Sequence, residues 1–255
     1  MKNPGFSVIL IILFILISGC SQVEDDISPG QKYSQKTIQL QESIIDYSVT
    51  VEEQLQNGGP AIVRNIVIKR PYMYRITDSA DCYDLSNGTV LSSYCNGSDT
   101  LNYFADPSVR QFIADVDYQK IFTQMISEGD GTFEGTETLE NTSTWIIEIK
   151  PIRNRYHIRY DFITVRMWID NKTGMILRAE MLPENTTNVG IVQFHNVTVN
   201  RGISDDMFTY TPVSGMNVVD RKAGLFKENL EGNAGYTHNA TPCTNCPMPS
   251  RTPRL

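Results

Sequence analysis

The chain has 255 residues, of which 40% are hydrophobic, and a formal net charge of −7. That is enough for one globular domain with its own core. No block of Lys and Arg stands against the acidic background, which excludes the electrostatic footprint of a nucleic-acid binder.

Lys2 precedes an apolar run over residues 6–17, which is followed by Ser18, Gly19 and Cys20. The run is well short of the roughly 20 residues that cross a bilayer, so it reads as an export signal rather than a membrane span. The tetrad Ile17-Ser18-Gly19-Cys20 resembles the lipobox of prokaryotic lipoproteins. That resemblance implies a signal peptide at 1–19, a lipid on Cys20, a tether over 20–33, and a folded body held at the extracytoplasmic face of the cell membrane.

Four further cysteines, Cys82, Cys95, Cys243 and Cys246, make an even number in an exported chain, which favours disulfides. The expected pairs are Cys82 with Cys95, across a hairpin whose turn signal is Asn87-Gly88, and Cys243 with Cys246. The second pair lies in a Pro-rich tail over 221–255, where Cys-Thr-Asn-Cys could also bind metal or exchange disulfides. A lone CxxC lacks zinc's second ligand pair, so no metal is assigned. Asn-x-Ser/Thr sequons stand at Asn87, Asn96, Asn141, Asn171, Asn185, Asn196 and Asn239, against about three expected by chance. A lipobox beside many sequons suggests a glycoprotein of an archaeal-type surface.

Within the mature chain, apolar residues at helical spacing predict a helix over 36–47. Alternating β-branched and aromatic residues predict strands over 48–56, 61–69, 72–77, 82–85, 89–94 and 100–104. Helical spacing returns over 107–127 and is stopped by Gly129-Asp130-Gly131. Further strands are expected over 132–139, 144–150, 156–170, 175–182 and 189–200. In 156–170 the apolar residues change from even to odd positions near Phe162, so a bulge, or a sheet covered on both faces, is expected there.

Several segments together resemble the periplasmic lipoprotein carrier LolA and its relatives over residues 36–220. They are Ile68-Lys69-Arg70-Pro71-Tyr72-Met73-Tyr74, the turn Ser86-Asn87-Gly88-Thr89-Val90-Leu91, the hairpin from Trp168-Ile169-Asp170 to Thr173-Gly174, and Phe208-Thr209-Tyr210-Thr211-Pro212-Val213-Ser214-Gly215. The resemblance implies a mainly β domain over 34–220, an unclosed antiparallel β-barrel whose apolar hollow face is lidded by helices and takes acyl chains. It implies that Arg70 hydrogen-bonds lid carbonyls near 107–127 in the closed state. Tyr72, Tyr74, Phe162, Met167 and Trp168 are the candidate lining.

Of the carrier, receiver and sensor roles the resemblance allows, a carrier must diffuse, whereas this chain is expected to be anchored, which suits a receiver or sensor better. The cysteine-clasped hairpin and the tail have no counterpart in the family pattern. His157, His195 and His238 match no HExxH or Gly-x-Ser-x-Gly motif, and Gly129-Asp130-Gly131 with Gly135 lacks the P-loop lysine. No enzyme chemistry and no cofactor are assigned. The expected partners are the membrane, acyl chains of a lipid or lipoprotein, and envelope proteins. The alternative function is an adhesion or envelope-scaffold protein that uses the outer face of the same fold.

Overall fold

The computed structural model describes residues 27–54, 58–106, 109–151, 162–184 and 189–220. The signal segment, Cys20, the tail with Cys243 and Cys246, the sequons Asn185 and Asn239, and the first part of the strand expected over 156–170 lie outside the described residues.

Helix α1 (Pro29–Glu42) begins earlier than apolar spacing predicts, within the stretch assigned to the tether. The start is set by polar chemistry. Ser28 Oγ accepts from the Gln31 amide at 3.3 Å, and Gln31 Oε1 accepts from the Ser28 amide at 3.2 Å, a reciprocal cap with Pro29 in the first turn. The helix docks through buried polar residues Ser34, Thr37 and Gln41, which no hydrophobic pattern reveals. Tyr33 adds a stack on Phe133, with ring centroids 4.2 Å apart.

Twelve strands follow: β1 (Asp46–Gln54), β2 (Ile62–Lys69), β3 (Met73–Asp78), β4 (Cys82–Asn87), β5 (Val90–Cys95), β6 (Thr100–Ala105), β7 (Asp130–Leu139), β8 (Thr142–Lys150), β9 (Thr164–Asp170), β10 (Ile176–Leu182), β11 (Gly190–Val199) and β12 (Asn217–Asp220). They form one sheet in the order β12-β6-β5-β4-β3-β2-β1-β11-β10-β9-β8-β7. Every pairing is antiparallel except that of β12 with β6. β7 and β12 are the two edges, so the curved sheet is an unclosed barrel, as the family resemblance implies. Cys82 stands opposite Cys95 in the β4–β5 ladder and is bonded to it, the expected hairpin clasp.

The helical run expected over 107–127 is two helices, α2 (Val109–Val116) and α3 (Tyr118–Glu128). They divide at Asp117, whose carboxylate accepts from the Lys120 amide at 3.0 Å and so caps α3.

The core lies on the inner face of the sheet. Tyr47, Val49 and Val51 of β1, Ile66 and Ile68 of β2, Tyr74 and Ile76 of β3, and Val165, Met167 and Ile169 of β9 form one cluster with Ile113 and Val116 of α2 and Phe122, Met125 and Ile126 of α3. Full burial of each such side chain contributes about 1.5–3 kcal/mol. The outer face of β3 and β4 carries a separate layer, where a short 3-10 helix (Asp205–Phe208) packs and Phe208 is buried.

Candidate functional site

Arg70 follows the last residue of β2, and its guanidinium gathers three parts of the helical cover. Nη1 donates to the carbonyl oxygens of Gln41 at 2.6 Å and Ile44 at 3.4 Å, and Nη2 donates to Gln41 Oε1 at 3.2 Å. Nε donates to Asp117 Oδ2 at 3.3 Å. The first carbonyl belongs to the last turn of α1, where unpaired carbonyls and the helix dipole favour a cation. The arrangement differs from the one implied by resemblance. The carbonyls belong to the end of α1 and the loop after it, and the acceptor from the 107–127 segment is a carboxylate.

Asp117 is 1% exposed on its side chain, so its charge requires these partners. Tyr47 donates its hydroxyl to Asp117 Oδ1 at 2.8 Å. Burial foremost, then the neighbouring Asp117 charge, pushes the Tyr47 phenol well above its ordinary range, and it stays a donor.

Behind this knot lies a pair of buried amides. Gln41 Nε2 donates to Gln119 Oε1 at 3.0 Å and to the Gly174 carbonyl at 2.8 Å. Gln119 donates to the Ile176 carbonyl at 2.9 Å and accepts from the Ile176 amide at 2.8 Å. The two glutamines thus fasten α1 and α3 to the β9–β10 turn. Gly174 is required there: its φ is +73°, and a Cβ would lie 2.6 Å from Leu40 Cβ. Further along β1, buried Glu53 accepts from Tyr118 Oη at 2.6 Å and pairs with Arg64.

The candidate lining residues divide by strand parity. Tyr74 and Met167 are buried on the inner face, and Phe162 packs partly buried against the same cluster. Trp168, the strand neighbour of Met167, faces the opposite way: its Nε1 donates to Glu137 Oε2 at 2.7 Å, and Arg178 lies 5.2 Å from its ring. Tyr72 is 39% exposed in the β2–β3 turn, with the Arg110 guanidinium 5.1 Å from its ring. Trp168 and Tyr72 therefore stand outside the hollow, a correction to the expected lining.

Asp117, Gln41, Gln119 and Tyr47 were not singled out by sequence. An Asp two residues after another inside a helical run is a weak capping signal, and the buried glutamines have no signal at all. Of the sequons, Asn87, Asn96, Asn141 and Asn171 lie in or beside turns, and Asn196 lies in β11 with φ of 53°. His195, on β11, sits between Glu140 (3.0 Å) and Glu52 (3.5 Å). Among the described residues no group of three or more His, Cys, Asp or Glu side chains could hold a metal ion, and no helix is long and apolar enough to cross a membrane.

No family model and no curated protein matches the chain. Among solved structures it is similar to an uncharacterized conserved protein from Thermus thermophilus, at 11% identity and TM-score 0.47, over 74% of this chain and 98% of that one. It is also similar to the lipoprotein LppX of Mycobacterium tuberculosis, at 13% identity and TM-score 0.42, over 68% and 95% of the two chains. A LolA superfamily protein from Nitrosomonas europaea aligns at 9% identity and TM-score 0.30, over 71% and 97%.

Proposed function

We propose that this protein is a non-enzymatic lipoprotein, anchored through Cys20 at the extracytoplasmic face of the membrane, that takes acyl chains between the inner face of its sheet and the covering helices. One observation carries the reading. The helices bury apolar side chains on a broad apolar sheet face, and a small polar knot, Arg70 with Asp117, Gln41 and Tyr47, ties their ends to the strands. Moving α2 and α3 would expose a greasy concave surface, and each methylene that enters gains about 0.8 kcal/mol. The knot is the closed state of that cover, with Arg70 as its latch. Tyr74, Met167 and Phe162 would meet the chains, and an anchored position suits a receiver or sensor.

The test is lipid extraction and native mass spectrometry of the domain produced without residues 1–20. Co-purifying acyl lipids, or uptake of a fluorescent fatty acid, support the reading. A domain that neither carries nor takes up an acyl chain would point to the scaffold alternative.

A further inference from the structure

The outer face of the sheet carries a half-open cavity of about 170 Å³ among Asn87, Val90, Ser92, Tyr103, Phe208 and Tyr210. It is not part of the acyl site. Asn87 pairs with Met73, one step along β3 from core-facing Tyr74, so Asn87 belongs to the outer row. Ser92 stands opposite Tyr103 in the next ladder and completes the floor. The walls come from the segment after β11 that crosses this face.

No lining residue is charged. Two phenols, an amide, the hydroxyls of Ser92 and of Thr209, which also lines the cavity, and a phenyl ring suit a saccharide, whose C–H face stacks on aromatic rings while its hydroxyls meet amides and hydroxyls. The volume is below the roughly 300 Å³ of a site for a drug-sized ligand. From Tyr210 the aromatic surface continues to Tyr94, with ring centroids 5.0 Å apart, and on to Tyr83 at 6.4 Å.

Asn87 is itself a sequon residue, and its amide is oriented. Its Oδ1 accepts from the Thr89 amide at 3.0 Å, the Thr89 hydroxyl at 2.9 Å and the Val90 amide at 2.9 Å. The oxygen is thus turned into the hairpin, and Nδ2 takes no part in these bonds. Two other sequons show the reverse. Asn171 Nδ2 donates to Ser143 Oγ at 3.0 Å, and Asn196 Nδ2 donates to Thr50 Oγ1 at 3.5 Å.

We propose that Asn87 is N-glycosylated and that the first sugar of its glycan occupies this cavity, against Tyr210 and Tyr103. The donor class is a saccharide joined through its anomeric carbon to a lipid diphosphate. Asn87 Nδ2 forms the bond to that carbon, the carbon–oxygen bond to the diphosphate breaks with its electron pair leaving on the diphosphate, and the amide loses one proton. The seated sugar would close the outer layer around Phe208.

The full chain is produced in a host that N-glycosylates exported proteins, and its glycopeptides are mapped by mass. Asn87 should be occupied, and Thr89→Ala should abolish the modification. Enzymatic release of the Asn87 glycan from native protein should be about tenfold slower than from Tyr210→Leu, because the stacked sugar must first leave the rings. Should that variant fail to fold, nuclear Overhauser contacts between the first sugar and the Tyr210 ring in the unaltered protein decide alone. A bare Asn87, with or without a free saccharide in the cavity, overturns the proposal. So does an occupied Asn87 with equal release rates and no contact to Tyr210.

Discussion

Arg70 and Asp117 stand 47 residues apart in sequence and meet at 3.3 Å, joining the end of β2 to the junction of α2 and α3. The carboxylate is buried and the guanidinium is 22% exposed, so the two groups are not equivalent. Removing Arg70 leaves a charge in the interior, whereas removing Asp117 leaves a cation that still reaches two carbonyls and can meet water.

Arg70→Leu should therefore destabilise the folded domain by about 3 kcal/mol, the usual cost of stranding one member of a buried pair. Urea unfolding of the domain checks the magnitude. If Arg70 latches the cover, the same variant takes up an apolar probe faster than a control, Lys150→Gln, at the exposed last residue of β8.

The Tyr47 hydroxyl gives a pH signature. Its folded pKa is raised, so its contribution is fully present below the ordinary tyrosine value near 10 and is lost as pH rises through the folded value. Stability measured between about pH 9 and 11.5 should fall more steeply in the unaltered protein than in Tyr47→Phe. Parallel curves would show that Tyr47 ionises as readily in the fold as in the unfolded chain.

Gly174→Ala places a Cβ against Leu40 at a backbone angle that L-residues avoid, where α1 meets the β9–β10 turn. The expected loss is on the order of 2 kcal/mol, or roughly 4–8 °C in Tm for a domain of this size. Thermal unfolding followed by circular dichroism measures it.

Cys82 and Cys95 close a loop of sequence separation 13. Replacing both with Ser should lower stability by roughly 3 kcal/mol on the chain-entropy estimate. Hydrogen exchange should rise first in β4 and β5, because the bond sits on their ladder.

Strand positions were legible because alternating apolar residues carry the period of a strand, Cys82 with Cys95 fell on opposite sides of a turn signal, and the unclosed architecture came from the family resemblance alone. What was hidden is instructive. Ser28, Pro29 and Gln31 start α1 through capping rather than apolar spacing. Asp117 breaks a helical run whose apolar pattern continues across it. Trp168 looked like lining because aromatic content does not report which face a strand residue takes, and only the register beside Met167 decides that. The layer under Phe208 depends on a crossing segment with no periodicity.

The central claim is that the inner face, beneath α2 and α3, admits acyl chains. Uptake of a fluorescent fatty acid by the domain lacking residues 1–20 tests it most directly, compared with Met167→Trp, which fills the inner face, and Trp168→Phe, which alters the outer one. The account predicts saturable binding that Met167→Trp weakens at least about tenfold while Trp168→Phe leaves it unchanged. No saturable binding by the unaltered domain, or equal binding by all three folded proteins, would contradict it.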